Sequence, residues 1–431
     1  MDNSVEYPPK TKKFYLGFLF FCLMMISCAV FSGLPVAEEK PSSIQYGPGY
    51  TLEEHQSRTL DAIWDLIEQN YIYYDNAGIN WDALQERYSE RVQSGLSADE
   101  FNDLIAELGS ELPAGSLGWQ SRADRIEADL AASSTYQGIG AIVAFKGESV
   151  PHVVILSVMP DSPAEQAGLK AHDSILSIDG NPVLLEEGLN VVQRIRGPAG
   201  STVTLEVESP GQSKHTIEVT RGQLVSAGEL QSDQITKVDA FYGYMLFPPV
   251  AYDTLMDEVL ESIQTLTSNR HLDGLILDLR VAGSTGGWPL EDMLSVFYDG
   301  DVGEFYTRNE SQTFSVSGRD VSGSQSVPLG ILVGQNTVGF PEIIAASLQA
   351  SGRAIIVGAP TTGSLETPSA FYLPDGSQVF VQSTSFRLPN GEEPGKNGIR
   401  PDVAVEADWD EVVPNADPVL EAAIDALGAD R

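Results

Sequence analysis

Apolar positions along this chain change their spacing twice. Between Thr51 and Ala132 they recur with a helical period: TLEEHQSRTLDAIWDLIEQNYI carries Leu60, Ile63, Trp64 and Ile67 on one face. LSADEFNDLIAELGSEL repeats the pattern behind Ser97, whose hydroxyl suits a helix cap. At Tyr136 the texture turns to short β-branched runs, GIGAIVAF, HVVILSV, DSILSIDGNPV and TVTLEVES, which alternate or cluster apolar residues as strands do. Among them SPAEQAGL predicts a short helix, with Ser162 as cap and Pro163 at its first position. From Val225 strands and helices alternate. FYGYMLF, LDGLILDLR, LGILVGQ and AIIVGAP read as strands, while VAYDTLMDEVLESIQTLTS, PLEDMLSVFY and PEIIAASLQASG read as helices. That order predicts a multidomain α/β chain whose last part has a mainly parallel sheet.

One apolar run has no period. Phe14 to Leu34 holds 21 residues without a charge, enough helix to cross a hydrocarbon core of about 30 Å. Lys10, Lys12 and Lys13 precede it and Glu38 and Glu39 follow, which predicts a cytoplasmic tail over 1–13, an anchor over 14–34 in the cell membrane and the bulk of the chain outside. An alternative is lipoprotein processing at Cys28, after Met25-Ile26-Ser27. Residues 35–50, rich in Pro, Gly, Ser and Glu, predict a linker, after which domains are expected over 51–132, 133–224 and 225–431.

Charge and composition narrow the chemistry. With 25 basic against 61 acidic residues the net charge is -36, which excludes nucleic acid as a partner because phosphate backbones require clustered Lys and Arg. The cysteines, Cys22 and Cys28, both lie in the apolar run, and the five histidines show no ligand spacing. No metal or other cofactor is implied. Self-association stays open.

The middle segment resembles a PDZ domain of the kind inserted in bacterial carboxyl-terminal processing proteases. The resemblance is carried by GIGA (138–141), SPAEQAGLKAHDSILSIDG (162–180) and RGPAGSTVTLEV (196–207). It implies a β-sandwich or barrel-like domain that takes up protein or peptide C-termini. Gly138, Ile139, Gly140 and Ala141 would offer N–H groups to the terminal carboxylate, and the strand after them an edge for an extended chain. His172 stands where the family usually has glycine, which puts the local turn in question.

The last segment resembles the core of S41 peptidases, the carboxyl-terminal processing or tail-specific family. LILDLR (275–280) followed by Gly286-Gly287, then EIIAASLQASGRAIIVGAPTTG (342–363), LPDGSQVFVQ and LPNGEEPGKNGIRPDVAV carry the likeness. In that family a serine before the helix is the nucleophile and a lysine 25 positions on is its base, a pair the chemistry requires because a hydroxyl attacks poorly until a base takes its proton. Alignment on Glu342 and Gly363 puts Gly339 at the nucleophile position and Ser364 at the base position, 25 apart. The family's helix acid falls on Ala350 and its following glutamine on Pro368, so that only Glu342 is retained. Oxyanion-hole donors are expected from Gly286, Gly287 and Phe340. Thr337 and Ser364 are the substitute hydroxyls, Lys396 falls on a stretch that is non-catalytic in the family, and His55 and His271 sit in no motif. The resemblance implies a non-proteolytic binder of protein C-termini. Its alternatives are an active C-terminal processing serine peptidase with an altered site, or a binder of a small apolar ligand beside Phe340 and Trp288.

Overall fold

The structure, a computed structural model, describes residues 51–429 except 76, 114, 126–136, 148, 224–228, 238–239, 269, 285–287, 364, 374 and 414–415. The expected anchor and linker therefore lie outside the described residues. Among those described, no helix is long and apolar enough to cross a membrane.

Three helices open the described chain: Leu52–Asn70, Trp81–Gln93 and Ala98–Glu111. Thr51 and Ser97 each cap a helix by accepting from the N–H three residues on, and Glu54 and Glu100 reach back to the cap N–H. Leu60, Ile63, Trp64 and Ile67 share the buried face that their spacing predicts. This bundle is not self-contained. LGWQ, inside the expected helical domain, is a strand (Leu117–Gln120) that pairs antiparallel with Gln378–Arg387, more than 250 residues later in the chain. The apolar helical faces close over Leu373, Val379 and Val381 of that same sheet. Three short amphipathic helices bury too little area by themselves, and the distant strand supplies the missing wall.

The second unit is an antiparallel sheet ordered Ala141–Lys146, His152–Val158, Ser174–Ile178, Thr202–Glu208, His215–Thr220, wrapped around Val153, Ile155, Ile175, Val203, Leu205 and Val207. Ser162 caps the helix Pro163–Ala167 as its sequence indicates, and Gly168 ends it in the left-handed region. Ala141–Lys146 is an edge strand, and the 3₁₀ segment Leu185–Val191 packs beside it.

The third unit is built on a six-stranded sheet in the order Gln231–Lys237, Ala240–Leu246, Gly274–Asp278, Leu329–Val333, Ala354–Gly358, Val403–Ala404. All neighbours but the first pair are parallel. Gly274–Asp278 and Leu329–Val333 are buried at every position, as near-continuous apolar runs require when both faces are covered. Helices Leu255–Thr267 and Phe340–Ala350 contribute to the main core, while Pro418–Ala429 closes the opposite face over Ile276, Leu332 and Val357. A second sheet, of Gly300–Tyr306, Ser311–Val316, Thr367–Tyr372 and Gln378–Arg387, joins this core to the helical bundle.

Candidate functional site

The loop that leaves Leu329–Val333 returns through Val338–Gly339, a two-residue parallel bridge to Gly283–Ser284, and enters the helix Phe340–Ala350 directly. Gly339 sits at φ 75°, ψ -129°, a backbone region that is essentially reserved for glycine and costs other residues about 1–3 kcal/mol. A strand-to-helix turn of this kind is how a hydrolase holds a nucleophile out at the head of a helix. Here glycine occupies that turn.

Glu342 holds that turn together. It is fully buried, and one carboxyl oxygen accepts from the Gly339 N–H at 3.1 Å. The other accepts from the Thr361 hydroxyl and, at 2.9 Å, from the Gly363 N–H. Thr361 in turn accepts from Ile399 N–H at 2.8 Å. A Cβ on Gly363 would fall 2.5 Å from Gly398 N and 2.7 Å from Gly395 O, so the segment leading to position 364 fits its neighbour only as glycine. Glu342 thus ties the Gly339 turn to the Thr361–Gly363 segment, a role beyond the favourable first-turn charge its place in the sequence suggests. Thr361 escaped the sequence reading because its partner lies 19 residues away.

The substitute groups fare differently. Thr337 is fully buried; its hydroxyl donates to Leu279 O at 2.8 Å and accepts from Gly334 N–H at 3.0 Å, which makes it a pin for the loop. Phe340 and Trp288 are buried in one apolar cluster with Phe247. Ala350 is exposed at the far end of its helix, and Pro368 lies in the strand Thr367–Tyr372. Ser364, Gly286 and Gly287 lie outside the described residues, as does the Lys396 side chain. The helical bundle reaches this region: Tyr73 donates to Glu366 at 2.7 Å, and burial, then Glu366, raise the phenol above its ordinary range. Arg308 reinforces the contact through Asp75 and the Tyr74 ring.

In the second unit Gly138 pairs with Gly222, and the Ile139 and Gly140 carbonyls accept from Ala164 and Met159. The N–H groups of Ile139 and Gly140 donate to no described residue, and Gly140 takes φ 81°. Ala141 starts the edge strand. These four residues therefore form one continuous loop and strand start.

This unit is docked on the third by Trp409. Its indole N–H donates to Ile155 O at 3.2 Å, its ring lies 4.1 Å from that of His172, and Arg280 stands over its face at 5.1 Å. His172 adopts φ 76°, so the turn keeps its glycine-like form. Its Nδ1 contacts Trp409 O at 2.7 Å, and burial moves its pKa below the ordinary imidazole value. Arg280 is itself clamped by Asp278 and Asp417, both at 2.6 Å. Lys146 bridges Asp408 at 2.6 Å and Asp410 at 3.0 Å. His152 meets Asp410 at 3.0 Å, and this bond, opposed by burial, raises the imidazole pKa. Burial works against the charge on Asp410, yet His152 and Lys146 hold it down to about 2. Between the units runs a cleft of about 90 Å³ lined by Ala144, Phe145, Lys146, Gln335, Asn336 and Asp408, among others. It lies at the carboxyl ends of the parallel strands, where open α/β sheets characteristically bind ligands.

The structure thus joins an α/β core with a strand-to-helix turn at Gly339 to an antiparallel module and a helical bundle. Residues 241–405 match the model of peptidase family S41, residues 154–209 that of a PDZ domain and residues 53–110 that of the Tricorn protease C1 domain. The chain is 28% identical over 384 residues to a carboxyl-terminal-processing protease of Synechocystis, covering 87% of each chain. A chloroplastic C-terminal processing peptidase of Tetradesmus obliquus is 27% identical over 406 residues, 89% of this chain and 83% of the relative. The solved structure of a photosystem II D1 C-terminal processing protease superposes with a TM-score of 0.63 at 24% identity, over 88% of this chain and 98% of that one, and shares its fold.

Proposed function

We propose that this protein is a membrane-anchored, extracytoplasmic member of the S41 family that binds the C-termini of other proteins without cleaving them. The observation that carries the reading is Gly339: the nucleophile turn is intact in its backbone and hydrogen bonds but ends in a residue without a side chain. No acyl-enzyme can form there, because no atom is available to attack. Thr337, the neighbouring hydroxyl, is buried and committed in both directions. Binding is supported by the N–H groups of Ile139 and Gly140, which donate to no described residue, at the head of an edge strand. The tether is supported by the uncharged run from Phe14 to Leu34 and the lysines before it.

The test is mass spectrometry of an unstructured protein with a hydrophobic C-terminus, incubated with the full chain in detergent and, in parallel, with a Gly339→Ser plus Ser364→Lys double variant. The unmodified chain is expected to leave the substrate intact while retaining it in a pull-down. Cleavage that persists through repurification and follows the protein peak would overturn the reading in favour of an active peptidase, the activity named in its relatives.

A further inference from the structure

The cleft and the PDZ edge strand are continuous. Ala144, Phe145 and Lys146, the last three residues of the edge strand, also line the cleft. A tail whose carboxylate sits on the Ile139 and Gly140 N–H groups must run antiparallel to Ala141–Lys146, each residue upstream of its terminus advancing about 3.4 Å along the strand. With the last residue opposite Ala141, the residue opposite Lys146 is five before the end, and paired residues project to the same face of a sheet. Lys146 sends its side chain to Asp408 and Asp410, so the tail side chain at that position points there too.

The charges at this point favour a cation. Asp410 is engaged by Lys146 through both oxygens and by His152. Asp408 gives only Oδ2 to Lys146, and its side chain is 48% exposed. Two carboxylates face one ammonium; Arg280, which also lines the cleft, is already held by Asp278 and Asp417, and His152 adds its charge only when protonated. The molecule as a whole carries -36, which draws basic tails toward it. Gln335 and Asn336, on the same cleft, belong to the loop that ends at Gly339.

We propose that the Asp408 wall of the cleft reads the charge of a bound tail five residues before its terminus and selects Lys or Arg there. This rests on the tail-binding reading and adds a register and a charge to it. A tail so placed bridges the PDZ unit and the core, with its upstream chain directed toward the Asn336–Gly339 loop.

Fluorescence anisotropy with the full chain in detergent tests this, using ten-residue peptides that share one hydrophobic C-terminus. Lys, Ala or Glu occupies the position five before the end; a fourth peptide carries Lys one residue nearer the end, and a fifth is the Lys peptide amidated at its C-terminus. The Lys peptide is expected to bind about 3–5-fold more tightly than the Ala peptide, the range of a partly exposed ion pair, with Glu weakest and the advantage shrinking at 0.5 M salt. Shifting Lys by one residue turns it to the other face and should abolish the gain. Asp408→Asn should erase the difference between Lys and Ala peptides. Equal binding of Lys and Glu, or a gain insensitive to the shift, overturns the charge selection while tail binding stands. Equal binding of free and amidated tails, or no binding at all, overturns the tail-binding reading itself and this inference with it.

Discussion

Glu342 shows how much one buried carboxylate can hold together. Its carboxyl group accepts from Gly339 N–H, the Thr361 hydroxyl and Gly363 N–H in a fully buried site, and each donor stranded by its removal costs about 1–3 kcal/mol. Glu342→Ala should therefore lower Tm markedly and release the Gly339 and Gly363 amides to hydrogen exchange. Glu342→Gln, which keeps an acceptor oxygen, should lose less. Gly339→Ser alone tests the backbone: at φ 75° and ψ -129° the substitution should destabilise by about 1–3 kcal/mol, read as a lower denaturation midpoint with an unchanged m-value. If Gly339→Ser is neutral, the strain that glycine relieves is not there. Glu342 was legible in the sequence as a first-turn acid, but its ties to Thr361 and Gly363 were not, because they depend on a return of the chain 19 and 21 residues later.

At the scale of elements, the 3₁₀ turn Trp409–Glu411 decides how the PDZ unit sits. Trp409 is buried against Ile155, His172 and Arg280, and truncating a buried Trp typically costs about 3–5 kcal/mol. Trp409→Ala should loosen the docking without unfolding the PDZ sheet, whose own core of Val153, Ile155, Ile175 and Val203 is separate. Hydrogen exchange should then rise at the contact surface of His152–Val158 and stay slow in Thr202–Glu208. Equal exposure of both strands would mean that the unit depends on the core for its fold. Nothing local marks Trp409 as a dock: DWDEVV reads as an acidic loop, and its partners lie more than 100 residues upstream.

For the whole molecule, two histidines in one interface have opposite shifts. His152, facing Asp410 and Lys146, has a raised pKa; its contribution is complete below the unfolded imidazole value of about 6.5 and fades as pH rises through the folded value. His172, facing Trp409 with Arg280, Asp278 and Asp417 nearby, has a lowered pKa; its contribution is complete above about pH 6.5 and fades as pH falls through the folded value. Docking should therefore be firmest near pH 6.5 and weaken in both directions. Exchange of the 152–158 amides, followed across pH and corrected for intrinsic rates, should show a protection maximum there. His152→Asn should remove the alkaline limb and leave the acid limb, and a monotonic profile in the unmodified chain would exclude the opposed pair.

Period and punctuation in the sequence settled the local elements. Buried strands such as LILDL, the Ser162-Pro163 helix start and the Leu255, Val259 and Ile263 stripe all stand where their spacing puts them, because these signals act over a few residues. Tertiary structure alone decided that LGWQ completes a sheet with Gln378–Arg387, that Thr337 pins its loop to Leu279 and Gly334, and that Lys146, His152, Asp408 and Asp410 form one charged seam beside the edge strand. Each of these depends on which surfaces pack together across long loops, and burial, not local propensity, determines that.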